Sequence, residues 1–394
     1  MRLYDTARRT VVPFDPGPDV SLYVCGITPY DSTHLGHAAT YLTYDLLIRR
    51  LEDLGRTVRY VRNITDVDDS ILPKARELGV HYLDLAAEEV ARFQGDMAAL
   101  EMRVPDAEPR ATEAIDGIIE LVGKLLDSDH AYMTAGTVYF DISSFPSFGQ
   151  LSHYSEDQML KLARARGGNP DDPHRRHPLD FILWQPSLPD EPSWRAPFGV
   201  GRPGWHIECS AMSMAEHGET IDIHGGGTDL IFPHHECEIA QSEALTSKPF
   251  VRHWMHSAMV NYEGEKMSKS LGNLVFVSDL RAKADPRAIR LALMRHHYRS
   301  GFEWYDTDID EGVAMLNRLL AAAQAQAGPD PAPFAARVRA ALDDDLDAPR
   351  ALEALADLAD AILSGGTDTS APDELRALGA LVGVNLDRPV AIGT

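Results

Sequence analysis

The chain has 394 residues, 44% of them hydrophobic and 25% charged, with a formal net charge of −23. This is the make-up of a soluble globular protein with an ample core and roughly two to three domains. The acidic balance argues against a protein whose main work is to hold a nucleic acid, because phosphate contacts need Lys and Arg.

No apolar run approaches the roughly 20 residues of a membrane helix. Residues 1–10 carry arginines but no apolar core of a secretory signal, so the expected location is the cytoplasm. Three cysteines, Cys25, Cys209 and Cys237, are too few and too odd in number for a disulfide framework. They leave metal binding or catalysis open.

Ser21–Cys25 reads as a short buried strand that runs into a turn at Gly26–Pro29. Leu35, Ala38, Leu42, Leu46 and Leu47 have the spacing of one helix face, and Thr57–Ile64 alternates as a β-branched strand. Strand, helix, strand predicts a parallel α/β sheet. Tyr82–Leu100 reads as a helix. Residues 101–194 break this rhythm with a strand at Thr137–Ile142, a polar loop from Gly167 and a proline-rich stretch from Pro186 to Pro197.

The sheet pattern resumes at Thr220–Ile223 and around Trp254–Val260, and from Val277 the pattern is helical. The predicted division is a sheet domain in two halves, 1–100 and 195–276, an inserted mixed subdomain, 101–194, and a C-terminal α-helical domain, 277–394. From Glu311 onward there are 13 acidic residues, 6 arginines and no lysine, the reverse of a nucleic-acid-binding appendage.

Two short motifs carry chemistry. In His34-Leu35-Gly36-His37 the histidines stand at the mouth of the first helix, where an open parallel sheet binds ligands and a helix N-terminus favours phosphate. Gly36 leaves room for a base or ribose. In Lys266-Met267-Ser268-Lys269-Ser270, lying between Gly264 and Gly272, two lysines offer point charges to a departing pyrophosphate. Alone, the first motif reads equally as capping histidines and the second as a solvated loop. Together they predict stabilisation of the charge that builds at an attacked α-phosphate.

Gly225-Gly226-Gly227-Thr228-Asp229 follows a strand and reads either as a nucleotide-lining segment, with Asp229 on ribose hydroxyls, or as a tight turn. Cys25, Cys209, His234, His235, Cys237 and Glu238, read as gathered at strand ends of one sheet, suit a metal such as zinc, though not in a zinc-ribbon spacing. Asp66, Asp68 and Asp69 read as caps of the next helix rather than a magnesium site.

The runs Tyr23-Val24-Cys25-Gly26, Gly204-Trp205-His206-Ile207-Glu208-Cys209 and Phe232-Pro233-His234-His235-Glu236 resemble the class I aminoacyl-tRNA synthetases, and closely their cysteinyl branch. The resemblance extends from about Leu22 to Tyr305. Within that branch, the run from Gly26 to Ala38 and the loop Arg166-Gly167-Gly168-Asn169-Pro170 resemble the cysteine ligases of mycothiol biosynthesis. Those enzymes join cysteine to the amine of glucosaminyl-inositol (GlcN-Ins). His37 stands where the tRNA enzymes usually carry Asn. Ala165 and Asn169 depart from the acids usual in the ligase loop, and the run Glu238 to Glu243 looks more like the tRNA enzymes.

The resemblance implies a Rossmann-like parallel sheet of class I synthetase type, with an inserted mixed subdomain and a C-terminal helical domain. It implies zinc on Cys25, Cys209 and His234, with Glu238 matching a further ligand of the tRNA enzymes. It implies catalytic roles for His34, His37, Lys266 and Lys269. The adenylate would contact Gly26, Ile27, Thr28, Thr40, Asn63, Ile64, Thr65, Trp205, Gly227, Thr228, Asp229 and Val260.

The implied substrates are L-cysteine, ATP with magnesium, and GlcN-Ins, handled by a monomer without tRNA or membrane. A cysteinyl-tRNA synthetase with a reduced C-terminal region is the alternative. A non-catalytic sensor is a third reading, opposed by the lysine loop and both histidines. Zinc has a physical rationale: serine and cysteine differ by one atom, and a thiolate is a far stronger ligand than an alcohol.

Overall fold

The computed structural model describes residues 1–30, 33–68, 70–267 and 272–390. At its centre lies a four-stranded sheet in the order Val251–Ser257, Ile221–Gly227, Asp19–Ile27, Thr57–Ile64. All three pairings are parallel. Both faces are covered, and Leu22, Tyr23, Val24, Val61, Ile221 and Ile223 are all buried. The first of these strands is longer at each end than its apolar centre predicts. Its ladder with the Thr57 strand runs from Asp19 to Ile27, and backbone pairing carries it past the apolar residues.

Helix Leu35–Asp53 crosses this sheet. Its Tyr44 hydroxyl lies 2.9 Å from the carbonyl oxygen of Gly226 and 2.7 Å from that of Met255, and donates to this pair of acceptors. A Cβ at Gly225 would fall 2.2 Å from that hydroxyl, so the glycine is what lets helix and sheet meet. Gly225 to Gly227 therefore form the last residues of the strand, not a turn after it.

The aspartates after Thr65 also differ from expectation. Asp66 accepts hydrogen bonds from the amide (2.9 Å) and hydroxyl (2.8 Å) of Thr112, and so ties down the following segment instead of capping a helix. Asp68 accepts from the amide of Ser70 at 2.5 Å, at the start of the helix Ile71–Leu78. Asp69 lies outside the described residues.

The chain then builds a five-stranded antiparallel sheet in the order Ala131–Thr134, Thr137–Phe140, Phe181–Gln185, Gly199–Pro203, Trp194–Ala196. Helix Ile115–Asp127 packs Ile118, Val122 and Leu125 against Phe140, Leu183 and Trp184. This sheet continues past Trp194 to Pro203. The proline-rich stretch leads into a hairpin, with Trp194 opposite Gly201, and does not end the subdomain. Pro203 then leads through Gly204 straight into helix Trp205–His217.

Four helices, Asp308–Ala323, Ala332–Asp343, Ala348–Leu363 and Ala371–Leu381, form the C-terminal part. In the third, Ala351, Leu352, Leu355, Leu358, Ala359 and Ile362 make one buried stripe. Two buried arginines fasten this part to the rest. Arg290 pairs with Asp45 and donates to the carbonyls of Val382 (2.7 Å) and Leu100 (3.1 Å). Arg287 pairs with Asp285 and donates to the carbonyls of Asn385 and Arg388. Among the described residues no helix is long and apolar enough to cross a membrane.

Candidate active site and metal centre

His34 is the N-cap of helix Leu35–Asp53, and its Nδ1 accepts the Gly36 amide at 3.1 Å. That bond leaves the proton of the neutral ring on Nε2. The ring also fills the space at Gly36: a Cβ there would lie 2.8 Å from the imidazole. The room at this glycine is thus taken by His34 itself rather than left for a base or ribose. His37 stacks on His34 with ring centroids 3.9 Å apart.

The chain on either side of residues 268–271 is pinned beside this turn. Leu35 donates its amide to the Val275 carbonyl (2.9 Å), Val277 to that of Thr33 (3.1 Å), and His34 pairs with Phe276 as an antiparallel bridge. Met267, buried, donates its amide to Val260 at 3.2 Å, and the backbone of Lys266 pairs with Asn261. Lys269 and the side chain of Lys266 lie outside the described residues.

Gly26, Thr28, Asn63 and Thr65 meet where two central strands end. The Gly26 amide donates to Asn63 Oδ1 at 2.9 Å, and the hydroxyls of Thr28 and Thr65 are 2.8 Å apart. A Cβ at Gly26 would lie 1.6 Å from the Asn63 carbonyl oxygen, so no other residue fits there. Ile27 pairs with Ile64. On the other side of the first strand, Gly227 pairs with Ser257, whose hydroxyl donates to Thr40 Oγ1 at 3.0 Å. Thr228 and Asp229 open the turn that follows Gly227, and Trp205 stacks on His234 with centroids 4.1 Å apart.

One ligand atom from each of Cys25, Cys209, His234 and Glu238 lies within 4.8 Å of the others, and all four residues are buried. The expectation that these donors sit at strand ends is corrected: only Cys25 is on a strand. Cys209 lies inside helix Trp205–His217, His234 in the turn Ile231–His235, and Glu238 in helix Glu236–Thr246. Helices entering from the side close the cluster over the sheet edge.

His234 Nε2 is buried 3.0 Å from Glu238 Oε1, yet lacks the alignment of a hydrogen bond. Two soft sulfurs, an imidazole and a carboxylate with such a nitrogen among them fit a zinc ion. Burial by itself would raise Glu238. The charges of His224 and His234 overcome it and hold the carboxyl near 2. Burial would lower His234, but Cys209 and then Glu238 raise it to about 10. Burial would raise Cys209, and the Cys25 hydrogen bond together with His234 bring it down to about 6. Burial pushes the Cys25 thiol well up.

A second grouping, Cys25, His224, His235 and Glu238, also comes together. Its ring nitrogens contact other members of the same grouping. His224 Nε2 is 2.9 Å from Glu238 Oε2, and His235 Nε2 is 3.3 Å from Cys25 Sγ. His235 Nδ1 meets His256 Nε2 at 2.7 Å, and His256 Nδ1 meets the Thr6 hydroxyl at 2.7 Å. Rings hydrogen-bonded to the atoms of a donor set are the usual setting of a metal site.

Sequence reasoning missed His224 and His256. They are 32 positions apart, and only the parallel register that sets Gly226 beside His256 brings them together. His206, quoted within a motif but given no role, lies 3.0 Å from His234 Nδ1 through its own Nδ1. Cys237 packs with Ile207 and Ala240 in the core of the insertion, apart from both groupings.

A buried donor cluster and a nucleotide-type helix mouth on one parallel sheet define a class, and sequence comparison names it. The family described as "tRNA synthetases class I (C) catalytic domain" matches residues 12–314, and the chain belongs to this class I synthetase family. Its relatives narrow the branch. It is 49% identical to a protein of Streptosporangium roseum over 98% of this chain and 96% of the relative. It is 51% identical to one of Gordonia bronchialis over 98% and 95%, and 50% identical to one of Mycobacterium ulcerans over 98% and 96%. Each is named L-cysteine:1D-myo-inositol 2-amino-2-deoxy-alpha-D-glucopyranoside ligase.

Among solved structures, the fold matches Mycobacterium tuberculosis methionyl-tRNA synthetase with methionyl-adenylate at TM-score 0.64 and 17% identity, covering 92% of this chain and 89% of that one. An Agrobacterium radiobacter LeuRS in complex with tRNA matches at TM-score 0.66 and 12% identity, over 95% and 86%.

Proposed function

We propose that this chain is the ATP-dependent cysteine ligase of mycothiol biosynthesis. It activates L-cysteine as cysteinyl-AMP, releasing pyrophosphate, and transfers the cysteinyl group to the amine of GlcN-Ins, releasing AMP. The observation that carries this reading is the buried set Cys25, Cys209, His234 and Glu238, at the end of the same strand that continues into Gly26 and Ile27. End-to-end similarity to ligases of that name supports it. The acidic C-terminal helices favour a small acceptor over tRNA.

In this reading Cys25, Cys209 and His234 would hold zinc, with Glu238 beside them and the substrate's sulfur completing the shell. Zinc there would supply a Lewis acid that favours a thiolate over an alcohol, and so would separate cysteine from serine. Gly26 to Thr28, Thr40, Asn63 to Thr65, Trp205, Gly227 to Asp229 and Val260 position the adenylate. A carboxylate oxygen of cysteine attacks the α-phosphorus of Mg-ATP as the bond to pyrophosphate breaks. His34, through its Nε2 proton, and His37 stabilise the charge on the phosphoryl oxygens, and Lys266 and Lys269 stabilise the leaving pyrophosphate. In the second step the neutral amine forms a bond to the carbonyl carbon, the bond to AMP breaks, and the amine's proton leaves to solvent.

The proposed domain division gives 1–100 and 195–276 to the catalytic sheet domain, 101–194 to the insertion and 277–394 to the helical domain, with the hairpin that runs to Pro203 moved to the insertion. The test is cysteine-dependent ATP–pyrophosphate exchange, followed by purified GlcN-Ins and tRNA offered in parallel. Cysteinyl transfer to the amino sugar alone is expected. Transfer to tRNA alone overturns the acceptor, and absence of exchange overturns the enzyme.

A further inference from the structure

Beside the adenylate residues lies a cavity of about 350 Å³ that the adenylation step leaves unused. One side of it carries Thr28 and Trp205, both in the proposed adenylate set. Much of the rest is supplied by the inserted subdomain, through the Arg166–Gly168 loop and the strand Phe181–Gln185. We propose that this cavity is the acceptor site, that it takes a polyhydroxylated amino sugar, and that Gln185 is a specificity-determining contact within it. The proposal rests on the ligase reading above and names where its second substrate binds.

Three observations converge. The first is position: a nucleophile held here abuts Thr28 and Trp205, between the nucleotide side and the metal side of the cleft. The second is a built wall. Arg166 donates to the backbone carbonyls of both Asp229 and Phe232, and so fastens the insertion's loop to the turn that leads into His234. About 350 Å³ lies within the range of pockets that enclose a small organic ligand, and suits a disaccharide-sized molecule.

The third is chemistry. The lining includes Tyr30 and Trp205, both half-buried, whose rings supply apolar surface suited to the C–H side of a sugar ring. The Asp180 carboxylate cannot serve a ligand, since it accepts from Tyr132, from the Ile142 amide and from the His177 amide. The Gln185 side-chain amide is different: it makes no hydrogen bond within the protein among the described residues, and it faces the cavity with donors and an acceptor suited to vicinal hydroxyls.

The experiment is calorimetric titration of GlcN-Ins, without ATP, into the full-length wild type and into Gln185→Ala. Gln185 has no internal bond to lose, so this variant keeps its fold. Loss of one to two hydrogen bonds predicts a Kd about tenfold weaker, matched by a similar rise in acceptor KM with kcat little changed. Glucosyl-inositol, with a hydroxyl in place of the amine, should compete with GlcN-Ins and not with cysteine, and should lose potency in the variant. An unchanged Kd in Gln185→Ala, or titration by a tRNA acceptor stem instead of the sugar, overturns the cavity assignment. Cysteine-dependent pyrophosphate exchange, which needs no acceptor, is measured on the same preparations and reports separately on the ligase reading.

Discussion

The proposed metal end and the proposed phosphate end of the cleft follow opposite rules. At the metal end every donor is buried, and charge is answered by charge: Glu238 takes His224 on one oxygen and lies against His234 with the other. At the phosphate end His34 and His37 are half-buried, and the ring of His34 is fixed by its own helix backbone. The difference is one of ligand hydration. A thiol is told from an alcohol only where water cannot compete for the metal, so that end is dry and assembled in advance. A triphosphate enters hydrated, and a few aimed donors in a partly open turn suffice to hold it.

The largest effect expected from this contrast is at Cys209. Removing an outer partner of a metal ligand commonly costs about 10- to 100-fold. Cys209→Ala removes a ligand itself, so exchange activity should fall by more than ~100-fold and bound zinc should drop well below one per chain. Elemental analysis together with exchange kinetics checks both. A variant that keeps its metal and its cysteine dependence would break the contrast at the dry end.

His34→Ala sharpens the other side. Loss of one transition-state donor predicts a fall of about 10²–10³ in the exchange rate, with metal content and cysteine binding unchanged. A fall in metal content in this variant would mean that the two ends are not separable.

The sheet was more legible in the sequence than the site. Thr57–Ile64 has the same ends in the structure as its alternation predicts, because the strand Asp19–Ile27 pairs with it from Thr57 to Ile64. The donor residues were visible as types, but their placement was not. Cys25 and Glu238 are 213 positions apart, and the helix that carries Cys209 begins only where an antiparallel strand of the insertion ends. The histidines behind the ligands were hidden for the same reason: they become neighbours through strand register, which no local pattern reports. Gly225 misled in a different way. Its meaning is the approach of Tyr44, 181 positions away in sequence, rather than a local turn.

A smaller but directional effect is expected from pH. Without metal, Glu238 titrates near 2, below the ordinary carboxylate, so its stabilisation is present above its unfolded value and is lost as pH falls towards 2. His234 titrates near 10, above the ordinary imidazole, so its stabilisation is complete below its unfolded value and is lost as pH rises towards 10. The metal-free protein therefore holds both between about pH 4.3 and 6.5. Metal binding has the opposite demand, since His234 and the raised Cys25 thiol must each give up a proton. Zinc affinity should rise by at least about tenfold per pH unit between pH 6 and 8, measured by chelator competition. An affinity flat across that range would remove His234 and Cys25 from the ligand set.

The smallest effect carries the same rule to a surface far from the cleft. Arg339 bridges Asp53, at the end of the first helix, and Glu374 in the last helix, at 3.1 and 3.4 Å. Its geometry resembles that of Arg290, which also ties the helical part to the first helix, through Asp45. The two differ in solvent: the Arg290 side chain is fully buried, that of Arg339 36% exposed. Water and salt already satisfy most of what an exposed guanidinium needs, and holding its long side chain in place costs entropy. Arg339→Ala should then lower unfolding stability by no more than about 1 kcal/mol. Arg290→Ala, which leaves Asp45 buried beside Arg49 alone, should cost about 3–5 kcal/mol. Denaturant unfolding of both variants checks the pair. Equal losses would show that burial does not set the strength of these charge pairs, and would weaken the same argument where it is applied to the dry end of the cleft.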